Sequence, residues 1–268
     1  MIRDITIGQY YGQDSSIHSL DSRTKLMGVS VYIAALFLVK NSWWYLLLFA
    51  VILALYHIAK IPYRHLLKGL KGIMILLVFT FVFRLISTPG TPAAQFGIFT
   101  ITEEGITKAV SLTVRIALMI TGASLLSYTS TPRELADGLE KAFGFLEKIH
   151  VPIHDMAVII MIAFRFIPIL IEETNVLMDA QASRGVEFEK CSVWKKCRNI
   201  FSLLLPLFLS AVRRSSDLAM AMEARGYSGE GKTSRMYPLV YHTSDRIAYI
   251  LMFLFLAGGI VMRIVNIY

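Results

Sequence analysis

Residues Gly105–Tyr128 read GITKAVSLTVRIALMITGASLLSY. Lys108 and Arg115 are the only charges in this apolar run. As a helix it would extend ~36 Å, enough to cross a hydrocarbon core of ~30 Å. Four more runs read alike: Leu26–Val39, Trp43–Ala59, Ile73–Ile86 and Ile247–Val265. Several fall short of the ~20 residues a span needs, and extension into their flanks mends this. The first can begin near Thr24 and the third near Leu66. The expected fold is an all-α integral membrane protein of about five transmembrane helices.

Composition agrees and adds a constraint. The chain has 268 residues, 55% of them hydrophobic, and its charged fraction is 17%. An ordinary soluble domain carries ~25%. The mean hydropathy of +0.58 excludes disorder, and too little polar residue exists to cover a single soluble globule. Yet 27 basic and 19 acidic side chains are too many for a wholly embedded bundle, so a substantial part must face water. The two cysteines, Cys191 and Cys197, make no disulfide framework, and C-x5-C fits no common zinc or redox motif.

Lys and Arg near the spans set the expected orientation. Lys60, Arg64, Lys68 and Lys71 lie between the second and third runs, which puts that segment in the cytoplasm. The Pro-, Gly- and Thr-rich loop 87–104 has no Lys or Arg and should lie outside. The N-terminus and the long segment 129–245 are then cytoplasmic, and the C-terminus is outside. The first 20 residues are polar and show no apolar core of a signal peptide. Three regions result: residues 1–128 with the N-terminal segment and four spans, a membrane-proximal cytoplasmic segment 129–245, and a last span at 246–268. Residues 129–246 carry 15 basic and 14 acidic residues. The basic excess therefore sits on the spans and their flanks, where it reports topology. No basic stripe interleaved with aromatics points to nucleic acid.

The cytoplasmic segment repeats itself. Thr131-Pro132-Arg133-Glu134 should open a helix, with Thr131 as N-cap, Pro132 at the first helical position and Glu134 three residues on. Val151-Pro152 ends it. Two helices of ~45 Å follow, roughly residues 154–184 and 195–225. Each is apolar in front and polar behind, and each contains a proline, Pro168 or Pro206, expected to kink it. The first ends Ala180-Gln181-Ala182-Ser183-Arg184-Gly185. The second ends Ala221-Met222-Glu223-Ala224-Arg225-Gly226. The pattern A-x-x-[AS]-R-G recurs at a spacing of 41 residues. Gly past a helix end is a usual C-cap, and Arg beside it complements the negative dipole end. Small neighbours leave room for another surface to approach.

Other motifs give way to plainer readings. Gly226–Thr233 matches G-x-x-x-x-G-K-[ST], but a helix precedes it and no buried strand does, so a nucleotide loop is not expected. His150 and His154 are four apart, with Pro152 breaking the helix that would align them. No paired carboxylates fall on a span, and no nucleophile motif or metal cluster is visible. Arg115 lies near membrane depth, where a charge must face protein or water. It fits either a partner in the bundle or a substrate path.

With these residues in view, the chain resembles the transmembrane T subunit of energy-coupling factor (ECF) transporters over nearly its whole length. His18-Ser19-Leu20-Asp21-Ser22-Arg23-Thr24-Lys25-Leu26 is similar to the family's H-x-L-D-P-R-x-K-L, with Ser22 in place of proline. Thr131–Leu135 with Gly138-Leu139-Glu140 fits, as do Arg165–Pro168 and Leu205-Pro206-Leu207. The two Arg-Gly endings match the family's paired signatures, Ser183 standing where Ala is common.

The resemblance implies a three-part uptake machine for vitamins or related micronutrients, set in the cell membrane. Two ABC-type ATPases, which use ATP and Mg, would dock on Ala182, Ser183, Arg184, Gly185, Ala224, Arg225 and Gly226. A substrate-binding S subunit would meet the apolar halves, at Phe164, Phe166, Pro168, Leu204, Pro206 and Phe208. The chain itself would be a non-catalytic subunit with no bound cofactor or metal. A self-contained channel or secondary transporter is the rival reading, and a membrane enzyme is a weaker one. Secondary transporters usually repeat within their spans, whereas this repeat lies outside the five apolar runs.

Overall fold

The computed structural model describes residues 10–38, 42–96, 99–186, 192–227 and 240–265. Nine α-helices are described: α1 Ser22–Leu38, α2 Ser42–Ile58, α3 Tyr63–Lys71, α4 Met74–Ser87, α5 Glu103–Thr129, α6 Pro132–Phe143, α7 Ile153–Ser183, α8 Val193–Ala224 and α9 Thr243–Val265. A short 3-10 helix, Gly144–Ile149, lies between α6 and α7.

One departure from the all-helical expectation is small. The segment read as an outer loop holds an antiparallel hairpin, β1 Pro92–Phe96 with β2 Phe99–Thr102. Its register shifts between Pro92 and Ala94, beside a proline with no N–H for the ladder.

By length and composition, α5, α7 and α9 can each cross a membrane. α3 and α4, bent by 61°, make a fourth candidate if they are one broken span. α1 and α2 have 17 residues each, or ~26 Å, slightly less than the hydrocarbon core. Each of the five apolar runs thus holds a helix, but only two of these, α5 and α9, reach spanning length as single helices. α7, expected in the cytoplasmic segment, is itself apolar enough to span.

The chain divides into two units. The larger comprises Gly8–Ala142 and Leu239–Tyr268. Its core is an aromatic and aliphatic cluster from α1, α2, α3 and α5 that includes Tyr32, Leu36, Leu48, Ile52, Tyr56, Leu118 and Tyr128. Glycines allow the helices to approach closely, as in membrane bundles generally. A Cβ on Gly122 would lie 2.7 Å from the Tyr32 ring, so α5 meets α1 there only because the side chain is missing.

Caps follow the sequence closely in this unit. Thr102 Oγ1 accepts from the Gly105 N–H at 3.0 Å and opens α5, with Glu103 and Glu104 in the first turn. The same hydroxyl donates to the Thr88 carbonyl at 2.9 Å, which ties the end of α4 to the start of α5. At α6 the Thr131 N–H reaches Glu134 Oε2 at 3.2 Å, and the Glu134 N–H reaches Thr131 Oγ1 at 3.3 Å. This is the reciprocal box expected from Thr131-Pro132-Arg133-Glu134.

The smaller unit holds Phe143–Pro238, and within it α7 packs on α8. Both helices run unbroken through their prolines. Pro168 offers no N–H to the carbonyl of Phe164, and Pro206 offers none to that of Ser202.

Candidate functional site

The two Arg-Gly endings adopt the same fold, bond for bond. In α7, Gly185 has φ +87°. Its N–H donates to the Ala182 carbonyl at 2.9 Å, and the Val186 N–H to the Gln181 carbonyl at 3.1 Å. In α8, Gly226 has φ +79°. Its N–H donates to the Glu223 carbonyl at 2.9 Å, and the Tyr227 N–H to the Met222 carbonyl at 3.0 Å. Each is a Schellman cap, in which a left-handed glycine folds two amides back onto orphan carbonyls.

The cap explains the residue order. Glycine takes the positive φ at little cost, whereas an L side chain there is strained. Arg184 and Arg225 are the C-cap residues themselves. Both are exposed, as are Ala182, Ser183, Gly185, Ala224 and Gly226. No described atom lies within 4 Å of a Cβ built on either glycine. The result is two guanidinium groups, each on a rigid turn with open space beside it. Arg presents a planar fork of N–H donors that matches a carboxylate bidentately.

One pair binds the helices together. Glu173 Oε2 accepts from Arg214 Nε at 3.2 Å, and Glu173 Oε1 accepts from the Ser210 hydroxyl. Glu173 and Arg214 are 41 residues apart, the same spacing as the two Arg-Gly ends. Glu173 stands eleven residues before Arg184, and Arg214 eleven before Arg225. The residues that fasten α7 to α8 therefore occupy equivalent positions in the two copies. From that fastening to either Arg is ~17 Å of helix. Sequence reading noted these charges only as part of a polar half; opposite signs at the repeat offset were the available signal.

The apolar halves are largely uncovered within the chain. Pro168, Leu204 and Phe208 are exposed, while Phe164, Phe166 and Pro206 are half-buried. Leu205 and Phe201 add to this surface, at 66% and 73% exposure. Arg165, the only charge in the apolar stretch 156–171 of α7, is exposed as well.

The N-terminal motif does different work. Asp21 caps α1: its Oδ1 accepts from the Arg23 N–H at 2.9 Å, and Oδ2 pairs with Arg23 Nη2 at 2.9 Å. Burial pushes the Asp21 carboxyl up, but its bonds to Arg23 outweigh this and hold it below the ordinary carboxylate range. Arg23 stacks over the Tyr241 ring at 4.0 Å. The fully buried Asp245 accepts from the N–H of Asp21 at 2.9 Å and of His242 at 2.8 Å. One carboxylate thus serves the N-termini of α1 and α9 together. Lys25 Nζ donates to the carbonyls of His18 at 2.9 Å and Thr129 at 2.8 Å, placing a cation at the C-terminal end of α5. His18 Nε2 donates to the Tyr11 carbonyl at 2.9 Å, while Nδ1 faces the Ser15 hydroxyl at 2.7 Å. Burial holds its imidazole below the usual histidine range. His18, Asp21, Arg23 and Lys25 are in this way a clasp that joins three helices.

Arg115 is accounted for inside the larger unit. Its Nη2 and Nε donate to the Tyr45 hydroxyl at 2.6 and 3.1 Å, and the guanidinium lies 5.5 Å from the Phe37 ring. Of the G-x-x-x-x-G-K-[ST] match, residues 228–233 lie outside the described residues, as does Cys191; so does the side chain of Cys197.

Comparison with known proteins completes the picture. The family model described as "Cobalt transport protein" (CbiQ) matches residues 13–237. The energy-coupling factor transporter transmembrane protein EcfT of Acidaminococcus fermentans is 40% identical over 253 residues, 94% of each chain. The EcfT of Ruminiclostridium cellulolyticum is 38% identical over 265 residues, 99% of each. That of Bacillus subtilis is 38% identical over 235 residues, covering 87% of this chain and 89% of its own. A polytopic helical chain with a duplicated Arg-Gly helix end, matched along nearly its whole length by these proteins, belongs to the CbiQ/EcfT family of transmembrane transport proteins.

Proposed function

We propose that this chain is the coupling subunit of an ATP-driven uptake transporter in the cell membrane, linking two ABC-type ATPases to a substrate-binding S subunit. The observation that carries the reading is the pair of identical, exposed Arg-Gly caps. One chain offers the same plug twice, which suits two copies of one kind of socket. Each ATPase receives one end, at Ala182–Gly185 or Ala224–Gly226, and a carboxylate in its groove meets the guanidinium.

Movement of the ATPases on binding and hydrolysing ATP displaces these ends. The helices carry the displacement to their apolar halves, where Phe164, Phe166, Pro168, Leu204, Pro206 and Phe208 meet the S subunit. The chain performs no chemistry in this scheme; nucleotide and Mg belong to the ATPases, and the substrate, a vitamin or related micronutrient, belongs to the S subunit. The Lys- and Arg-rich segment 60–72 and the uncharged loop 87–91 support a cytoplasmic N-terminus and a cytoplasmic coupling segment within residues 129–245.

Co-purification and uptake test the reading together. Arg184→Ala or Arg225→Ala is expected to weaken ATPase retention or uncouple hydrolysis from uptake, and the double variant is expected to be inactive. Lys at either position substitutes poorly, because it lacks the bidentate fork. Full ATP-dependent uptake by the double alanine variant overturns the proposal.

A further inference from the structure

The join between α3 and α4 puts a basic helix at a membrane boundary. α4 alone reaches ~21 Å, short of a hydrocarbon core of ~30 Å. α3 is bent from it by 61°, so its nine residues add only ~7 Å along the α4 direction. Together the two helices just cover the core, and α3 leaves it obliquely at headgroup level. The cations of α3 fit nowhere deeper, because a charge inside the core is expelled toward water or protein.

Packing fixes which way α3 faces. Leu66 belongs to the buried core and Leu70 packs against it. A Cβ on Gly69 would lie 3.4 Å from the Ser124 hydroxyl oxygen of α5, and the Tyr128 hydroxyl donates to the His65 carbonyl at 3.2 Å. With Leu66, Gly69 and Leu70 held inward, Arg64, Lys68 and Lys71 form a stripe on the opposite side, at i, i+4 and i+7. All three are exposed, and none makes an ion pair with a described residue. No Asp or Glu occurs in the sequence between Asp21 and Glu103, so α1 to α4 offer these cations no counter-charge.

The partner must be anionic and must also accept apolar surface. Leu67 sits at the edge of the stripe at 64% exposure, and α4 continues from α3 with Ile75 at 86%. A bilayer edge meets both demands at once, with phosphates above and acyl chains below. An acidic protein surface would match the cations alone. We propose that α3 binds anionic phospholipid headgroups of the leaflet it faces, with Arg64, Lys68 and Lys71 on the phosphates and Leu67 in the acyl region beneath them. The contact holds the α3–α4 bend at the interface and so sets the depth of α4. It requires only that the chain spans a bilayer, and stands whether or not the Arg-Gly ends dock ATPases.

Native mass spectrometry of the full chain, released from nanodiscs of phosphatidylglycerol and phosphatidylcholine in equal amounts, tests this. Wild type should retain phosphatidylglycerol several-fold over phosphatidylcholine, and the preference should fall as salt is raised. Arg64→Gln with Lys68→Gln and Lys71→Gln should abolish it. Each single Gln variant should lose part of it, so the answer does not depend on the triple variant folding. Arg64→Lys should keep it, because the charge remains. Lys108→Gln with Arg263→Gln, which removes exposed charge from α5 and α9, should leave it intact. Equal retention of the two lipids by wild type, or an unchanged preference in the triple variant, overturns the proposal. So does a triple variant that keeps its lipid preference but loses the ATPases from the purified complex, which would make the stripe a protein contact.

Discussion

Glu173 of α7 and Arg214 of α8 meet at 3.2 Å and hold equivalent places in the two copies of the repeat. Residues joined at equal distances from two like ends set arms of equal length. The ion pair is partly exposed, 43% on the Arg side chain and 19% on the Glu. Its own energy is then modest, ~0–1 kcal/mol, and its value lies in fixing where the helices cross.

Charge reversal checks that role. Glu173→Arg or Arg214→Glu alone puts like charges at the crossing and should lower ATP-dependent uptake several-fold. The double reversal restores opposite signs and should recover most of the loss. A double-mutant cycle on uptake and on the α7–α8 spin-label distance measures the coupling.

The glycines at the helix ends give a second prediction. Gly185→Ala and Gly226→Ala meet no steric obstacle, so their cost is the left-handed backbone, ~1–2 kcal/mol each. The loss is expected locally, as faster amide exchange at Val186 and Tyr227, whose N–H groups close the caps. Asn, which tolerates this conformation better, should be milder than Ala.

Asp245 gives a third. Asp245→Ala strands the buried backbone donor of Asp21, at ~1–3 kcal/mol, and frees the part-buried one of His242 to water. Asp245→Asn keeps one acceptor oxygen and should cost less. Thermal unfolding of the purified chain in detergent should rank wild type above Asn above Ala.

Stability should also depend on pH, with a sign set by His18 and Asp21. The folded state lowers the His18 imidazole, so between its folded and unfolded values the unfolded chain binds more protons. Stability is then full above pH ~6.5 and falls as the pH drops through the folded value. Asp21 is also lowered, so its contribution is present above ~3.9 and lost on further acidification. Unfolding midpoints from pH 8 to 5 should decline in wild type and flatten in His18→Gln.

Much of this was legible in the chain because it is local. The box at Thr131 and Glu134, and the left-handed caps at Gly185 and Gly226, depend on residues within five positions of one another, and each formed as its pattern requires. Span lengths were less legible. Apolar runs mark helices, but α4 owes its reach to a bent join with α3, and α7 continues an apolar stretch that the repeat made look cytoplasmic. The hairpin at 92–102 does not stand out because Pro92–Phe96 does not alternate and Phe99–Thr102 alternates over only four residues.

The sequence by itself determined that this is a helical membrane protein and that it carries one helix end twice, since hydropathy and capping act over one or a few turns. Only the tertiary structure decided what the polar residues Asp21 and Lys25 near the N-terminus do. Asp21 finds Asp245 across 224 residues of chain, and Lys25 finds Thr129 across 104. No local rule reaches that far. Such pairs exist because buried carbonyls and amides at helix ends must be satisfied by whatever side chain packing brings near.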